Sequence, residues 1–160
     1  MTAELRAVVI GVGNEFRRDD GVGPAVVARL GNEELNAVRL IVSDGEPAGM
    51  LEAWTDTEVA IVVDAVSSGA APPGRLYRIA VSSGDGRELN GLGAGAGTHS
   101  LGLGTAVGLS RSLGRLPGAL IVHAVEGADF GLGRGLSTEV GSVIDELTAA
   151  VLADLRRLLA

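Results

Sequence analysis

The sequence predicts an α/β fold built on a mostly parallel sheet, and three observations predict it. Short, continuous, β-branched apolar runs such as RAVVIGVGN and EVAIVVDAV have the composition of buried strands, the first buried on both faces. Segments with helical spacing, GPAVVARLGNEEL, AGMLEAWTD and the C-terminal STEVGSVIDELTAAVLADLRRLLA, alternate with those runs. At 160 residues and 46% hydrophobic composition, the chain has the size and apolar content of one domain, residues 1–160, around one core.

Each element follows from its residues. RAVVIGVGN reads as the first strand, ending in a glycine turn, and Pro24 lies near the start of a helix that stops around Gly31-Asn32. AVRLIVSDGE is a second strand and AGMLEAWTD a short second helix; EVAIVVDAVSSG is a third, fully apolar strand that ends at Asp64. GRLYRIAV follows with only SSGAAPPG between, too short for a helical crossover, which predicts an antiparallel or edge strand. Residues 83–98, SGDGRELNGLGAGAGT, are glycine-rich and fit either a surface loop or a flap facing a substrate. HSLGLGTAVGLSRSLG reads as a helix despite its glycines, GALIVHAVEG as the last strand, and residues 137–160 as one long amphipathic helix. An imperfect capping box opens that last helix at Ser137.

Composition narrows the function classes. The absence of cysteine excludes disulfides, a thiol nucleophile and thiolate metal sites. A net charge of −7, with no lysine, argues against a nucleic-acid surface. The N-terminal MTAELRAVVIGVGN lacks a basic region leading into a long apolar one, and no apolar run approaches the ~20 residues that span a bilayer. The expectation is a soluble, cytoplasmic protein without membrane contact.

The stretch VVIGVGNEFRRDDGVG opens like a nucleotide-binding loop and then departs from one. Gly11 and Gly13 are in place, but Phe16 stands where a dinucleotide fingerprint needs its third glycine, and Asp19 and Asp20 would repel a pyrophosphate. A GK[ST] step is missing too, so a phosphate loop of the Walker type is excluded. Acids at this point suit a cation. In an open parallel sheet, sites gather beyond the carboxyl ends of the strands. Those ends carry Asp19 and Asp20 after the first strand, Asp44 and Glu46 after the second, Asp64 on the third, and His99 just before a helix. Two carboxylates and an imidazole form an open N/O site for a borderline divalent ion such as zinc or nickel. Each residue also has a plainer reading: Asp20 as a first-turn helix acid, Asp64 as a turn former, His99 as a cap, and His123, inside the last strand, as a hydrogen-bonded core histidine.

GVGNEFRRDDGVG, IVVDAV and GTHSLGL, in this order and on these elements, resemble the hydrogenase maturation endopeptidases, which process the large subunit of nickel–iron hydrogenases. The resemblance covers essentially the whole chain, including VEGADFGLGRGLSTEV before the last helix. It implies a three-layer αβα sandwich of the phosphorylase/hydrolase-like kind, around a twisted, mostly parallel five-stranded sheet. It implies an endopeptidase that removes the C-terminal extension of the [NiFe]-hydrogenase large-subunit precursor after nickel insertion, acting as a monomer in its free state. The family's metal-contacting residues fall on Asp20, Asp64 and His99, with Asp19 the next contributor; the nickel comes with the substrate, and no organic cofactor is implied. The other class of reading for the same three residues is a non-catalytic nickel-checkpoint or chaperone protein that binds the precursor without cutting it. One departure is Glu46-Pro47, where similar enzymes commonly carry Gly-Thr. It makes the loop stiffer and more acidic and bears on which precursor is accepted. Asp44 matches the family's acid there as a loop organiser, and Glu46 reads as an extra acid beside the site. Arg17 and Arg18 read either as solvated loop charges or as contacts for an acidic patch on the precursor.

Overall fold

The computed structural model describes residues 4–81 and 97–160, with the side chains of 97–101 excepted. Five strands form one sheet: β1 (Ala7–Val12), β2 (Val38–Ser43), β3 (Val59–Val66), β4 (Leu76–Val81) and β5 (Ala119–Glu126), in the order β2-β1-β3-β5-β4. The pairs β1/β2, β1/β3 and β3/β5 are parallel, and β4 pairs antiparallel with β5 at the sheet edge, as the short connection after β3 requires. The continuous apolar runs occupy the three central positions, where both faces are covered. The edge strands β2 and β4 alternate between half-buried and exposed residues.

Side-chain alternation sorts the core into two layers. Val8, Ile10, Val62, Val66, Val122 and Ala124 face α2 (Pro47–Trp54) and α3 (Gly97–Leu113). Val9, Ile61, Val63, Ile121 and Val125 face α1 (Val22–Leu30) and α5 (Ile144–Leu158). The indole N–H of the fully buried Trp54 donates to Ser110 Oγ at 2.8 Å, pinning α2 to α3. No helix among the described residues is long and apolar enough to cross a membrane.

Two element boundaries differ from the sequence reading. The C-terminal segment is two helices, α4 (Thr138–Gly141) and α5, because the chain breaks at Ser142–Val143 and so buries both Val140 and Ile144 in the same layer. Ser137 does cap α4, accepting from Val140 N–H at 3.3 Å. The third helix begins at Gly97, so His99 lies within its first turn rather than before it. The glycine-rich 83–98 segment lies, up to residue 96, outside the described residues.

Candidate active site

The topology places the site. From β1 the chain crosses through α1 on one face to β2, then returns through α2 on the other face to β3, which lies on the far side of β1. Connections leaving in opposite directions open a crevice at the carboxyl ends of β1 and β3. Two glycines allow the main chain to crowd this point. A Cβ on Gly23, in the first turn of α1, would stand 2.5 Å from Val12 O and 2.7 Å from Val63 O. Gly13, directly after β1, has φ of 135°, and a Cβ there would stand 1.9 Å from Asp20 O.

The charged insert folds back over that glycine as a 3-10 turn, Arg18–Gly21. Asp20 is 5% exposed, and its Oδ2 accepts the Asn14 N–H at 2.9 Å. A main-chain N–H at the end of the first strand, the kind of donor that a phosphate loop offers its ligand, is thus bonded to the protein's own carboxylate. The same turn packs against β3. Asp64, also 5% exposed, occupies the row of β3 that includes Val62 and Val66 and so faces α2 and α3; its Oδ1 accepts from its neighbour Ala65 N–H at 2.8 Å. Asp20 and Asp64 therefore flank the crevice.

The first turn of α3 carries the backbone of His99, whose side chain lies outside the described residues. One turn later, Gly102 lies so close to the loop after β2 that a Cβ would stand 2.3 Å from Gly45 O. That contact sets the start of α3 at the same carboxyl edge as the two acids. Among the described residues no group of three or more His, Asp or Glu side chains is arranged to hold a metal ion, and His99 is not among the side chains described.

Several other sequence expectations take a different form. Asp19 does not join Asp20: its fully buried carboxylate bonds the chain between β5 and α4. Arg17 and Arg18 are exposed, and each guanidinium group also donates to a main-chain carbonyl, Phe130 O at 3.2 Å and Arg134 O at 2.7 Å. Asp44, by contrast, is the loop organiser it was expected to be, accepting from Glu46 N–H at 3.0 Å. Glu46 is the N-cap of α2 rather than an acid beside the site, its two oxygens accepting from Ala48 and Gly49 N–H, with Pro47 at the first helical position.

His123 is the core histidine of the plainer reading. It lies in the β5 row facing α5, on the opposite side of the sheet from Asp64, and meets Asp154 at 2.7 Å. Asp154 also accepts from Arg78 and Arg157. Burial pushes the Asp154 carboxyl up, but the hydrogen bonds from Arg78, Arg157 and His123 together outweigh it and hold the group well below the usual carboxylate range. Burial pushes the His123 imidazole below its ordinary value, since much of the Asp154 charge is already matched by the two guanidinium groups.

Asp154 and one further buried acid escaped the sequence reading. Glu126 ends β5 on the same face as Asp64 and diagonally across from it, Asp64 pairing with Ala124 and Val66 with Glu126. Its carboxylate accepts from Ser68 N–H and Oγ–H and from the Tyr77 hydroxyl at 3.0 Å, tying the loop after β3 to β4. The signal that marked Asp64, an acid closing an apolar strand, is present in ALIVHAVEG as well.

No protein-family model and no curated protein matches the chain. Solved structures do. Hydrogenase maturating endopeptidase HybD from E. coli superposes with a TM-score of 0.84 at 23% identity, over 96% of this chain and 93% of that one, and shares the fold. A hydrogenase 2 maturation peptidase from Thaumarchaeota archaeon SCGC_AB-539-E09 is 29% identical, with a TM-score of 0.69 over 94% of this chain and 97% of that one. The chain is thus similar, in fold and over nearly its whole length, to hydrogenase maturation peptidases. A further family structure, the [NiFe] hydrogenase maturation protease HybD from Thermococcus kodakarensis, matches with a TM-score of 0.69 at 19% identity, over 93% of this chain and 98% of that one. The family fold is the mixed five-stranded sheet with helices on both faces described above.

Proposed function

We propose that residues 1–160 form one catalytic domain, an endopeptidase that removes the C-terminal extension of a [NiFe]-hydrogenase large-subunit precursor once nickel has been inserted. The observation that carries this reading is the pair of buried carboxylates, Asp20 and Asp64, flanking the crevice between β1 and β3 in a chain similar to these peptidases. His99, on the helix start at the same edge, completes the set. The three groups grip the nickel that the precursor carries. A substrate-borne cation polarises the neighbouring carbonyl and lowers the pKa of a water, and a carboxylate of the protein moves the proton. No nucleophilic side chain is required, in keeping with a sequence without cysteine. Cleavage thereby reports that the metal is loaded. In this reading the enzyme works in the cytoplasm as a monomer and carries no cofactor of its own.

The test is to incubate the protein with nickel-loaded and nickel-free precursor and to weigh the products. Loss of a C-terminal peptide only in the loaded sample is the expected result. Unchanged mass in both, with a stable complex formed, sinks the protease reading in favour of a binding checkpoint. Asp20→Ala and His99→Ala are expected to lower cleavage by about 100-fold or more while leaving the far-UV spectrum unchanged; full activity in either overturns the site assignment.

A further inference from the structure

Asp19 is 0% exposed, yet among the described residues no basic side chain is one of its hydrogen-bond donors. Its Oδ2 accepts from Ala128 N–H at 2.7 Å, Asp129 N–H at 3.0 Å and Ser137 Oγ–H at 2.8 Å, and its Oδ1 accepts from Ser137 N–H at 2.7 Å. Its own N–H donates to Asp129 O at 2.9 Å. A buried carboxylate with this many donors is fixed in position, because each donor would otherwise be left unpaired or compete with water.

The neighbouring residues tighten the same joint. Arg18 N–H donates to Gly133 O at 2.9 Å and Gly133 N–H to Phe16 O at 2.8 Å, so residues 16–18 run alongside 132–134. Asp20 follows Asp19 in one 3-10 turn, where successive side chains diverge by about 120° around the axis. Fixing Asp19 towards residues 128–137 therefore fixes the direction in which Asp20 leaves the turn, towards Asn14.

We propose that Asp19 is a positioning residue for Asp20, anchoring the acid to the chain segment between β5 and α4. Its effect on cleavage rests on the role given to Asp20 above; its effect on the orientation of Asp20 does not. The experiment uses the full chain with Asp19→Asn and Ser137→Ala. The Asn14 amide, which donates to Asp20, is followed by NMR through its proton shift and its exchange rate, and kcat and KM are measured on nickel-loaded precursor.

Asp19→Asn is expected to shift the Asn14 amide upfield, to speed its exchange, and to lower kcat by about 10- to 100-fold with KM nearly unchanged, while the amides of β5 keep their shifts. Ser137→Ala retains the three main-chain donors, so it gives a smaller change in the same direction and decides the matter if Asp19→Asn does not fold. A wild-type Asn14 amide and wild-type kcat in the folded variants, whatever their melting temperatures, overturn the proposal. If the unmodified protein does not cleave the precursor, the peptidase reading falls, and the Asn14 amide alone still decides whether Asp19 positions Asp20.

Discussion

Gly23→Ala tests the close approach on which the crevice is built. An alanine within a helix is favoured over glycine by about 1 kcal/mol, so by propensity alone the substitution stabilises α1. The tertiary contact reverses the sign. The added Cβ would stand 2.5 Å from Val12 O, 2.6 Å from Val12 N and 2.7 Å from Val63 O, all main-chain atoms of strands in the sheet centre that cannot swing aside. Restoring an ordinary contact lifts the start of α1 by about 0.9 Å. Overpacking of this kind costs about 3 kcal/mol at its upper range, leaving a net loss of about 2 kcal/mol. For a chain of this length that lowers Tm by about 4–8 °C. Gly108→Ala is the internal control, since a Cβ there meets nothing within 4 Å. It is expected to raise Tm by about 2–4 °C. Thermal unfolding followed by far-UV circular dichroism measures both. Because the turn carrying Asp20 leads directly into α1, Gly23→Ala is also expected to lower kcat at temperatures where the variant is fully folded. A neutral or stabilising Gly23→Ala refutes the packing of α1 on β1 and β3 described above.

Two further predictions concern residues away from the reacting groups. His123 stays neutral in the fold while the unfolded chain takes up a proton below about pH 6.5, so stability is full above that pH and declines as the pH falls towards the depressed native value. Denaturant midpoints are expected to fall between pH 7 and pH 5 in the parent and to stay more nearly level in His123→Gln; equal slopes would reject the burial argument. Asp154, held below the usual carboxylate range, adds its own loss only at more acidic pH. Glu46→Ala removes the cap of α2 and is expected to cost about 1 kcal/mol, or about 2–4 °C in Tm. Glu46→Ser retains a capping oxygen and is expected to keep both the stability and kcat of the parent, whereas a large loss of kcat would return Glu46 to the site.

The legible and illegible parts of the site differ by range of interaction. Asp64 was legible because a carboxylate closing an apolar strand is a local anomaly. Glu126 shows the same anomaly and was passed over, because what distinguishes the two is the side chains they meet: Ser68 and Tyr77 hold Glu126, and these are 58 and 49 residues away in sequence. The acid pair was legible as a pair but not as two different jobs. Asp19 and Asp20 are neighbours of identical chemistry, and only the arrival of Ala128, Asp129 and Ser137 at one of them sets it apart from the acid that meets Asn14. Likewise Glu46 was read as extra negative charge near the site, although its two acceptors' donors, Ala48 and Gly49, are within three residues. Glutamate is a less usual cap than Ser, Thr, Asp or Asn, which hid a local signal.

By itself, the sequence determined the class of fold, the burial of β1 and β3, the antiparallel or edge character of β4 and the departure of the first loop from a phosphate site. These rest on strand-length hydrophobic runs, glycine and proline positions and connection lengths, all properties of a few consecutive residues. Tertiary structure decided which acid of the pair bonds the segment between β5 and α4, that His123 lies across the sheet from Asp64, and that Arg17 and Arg18 reach a distant segment. These depend on buried hydrogen bonds whose partners are brought together only when the sheet closes, and a buried carboxylate takes its role from the donors that reach it.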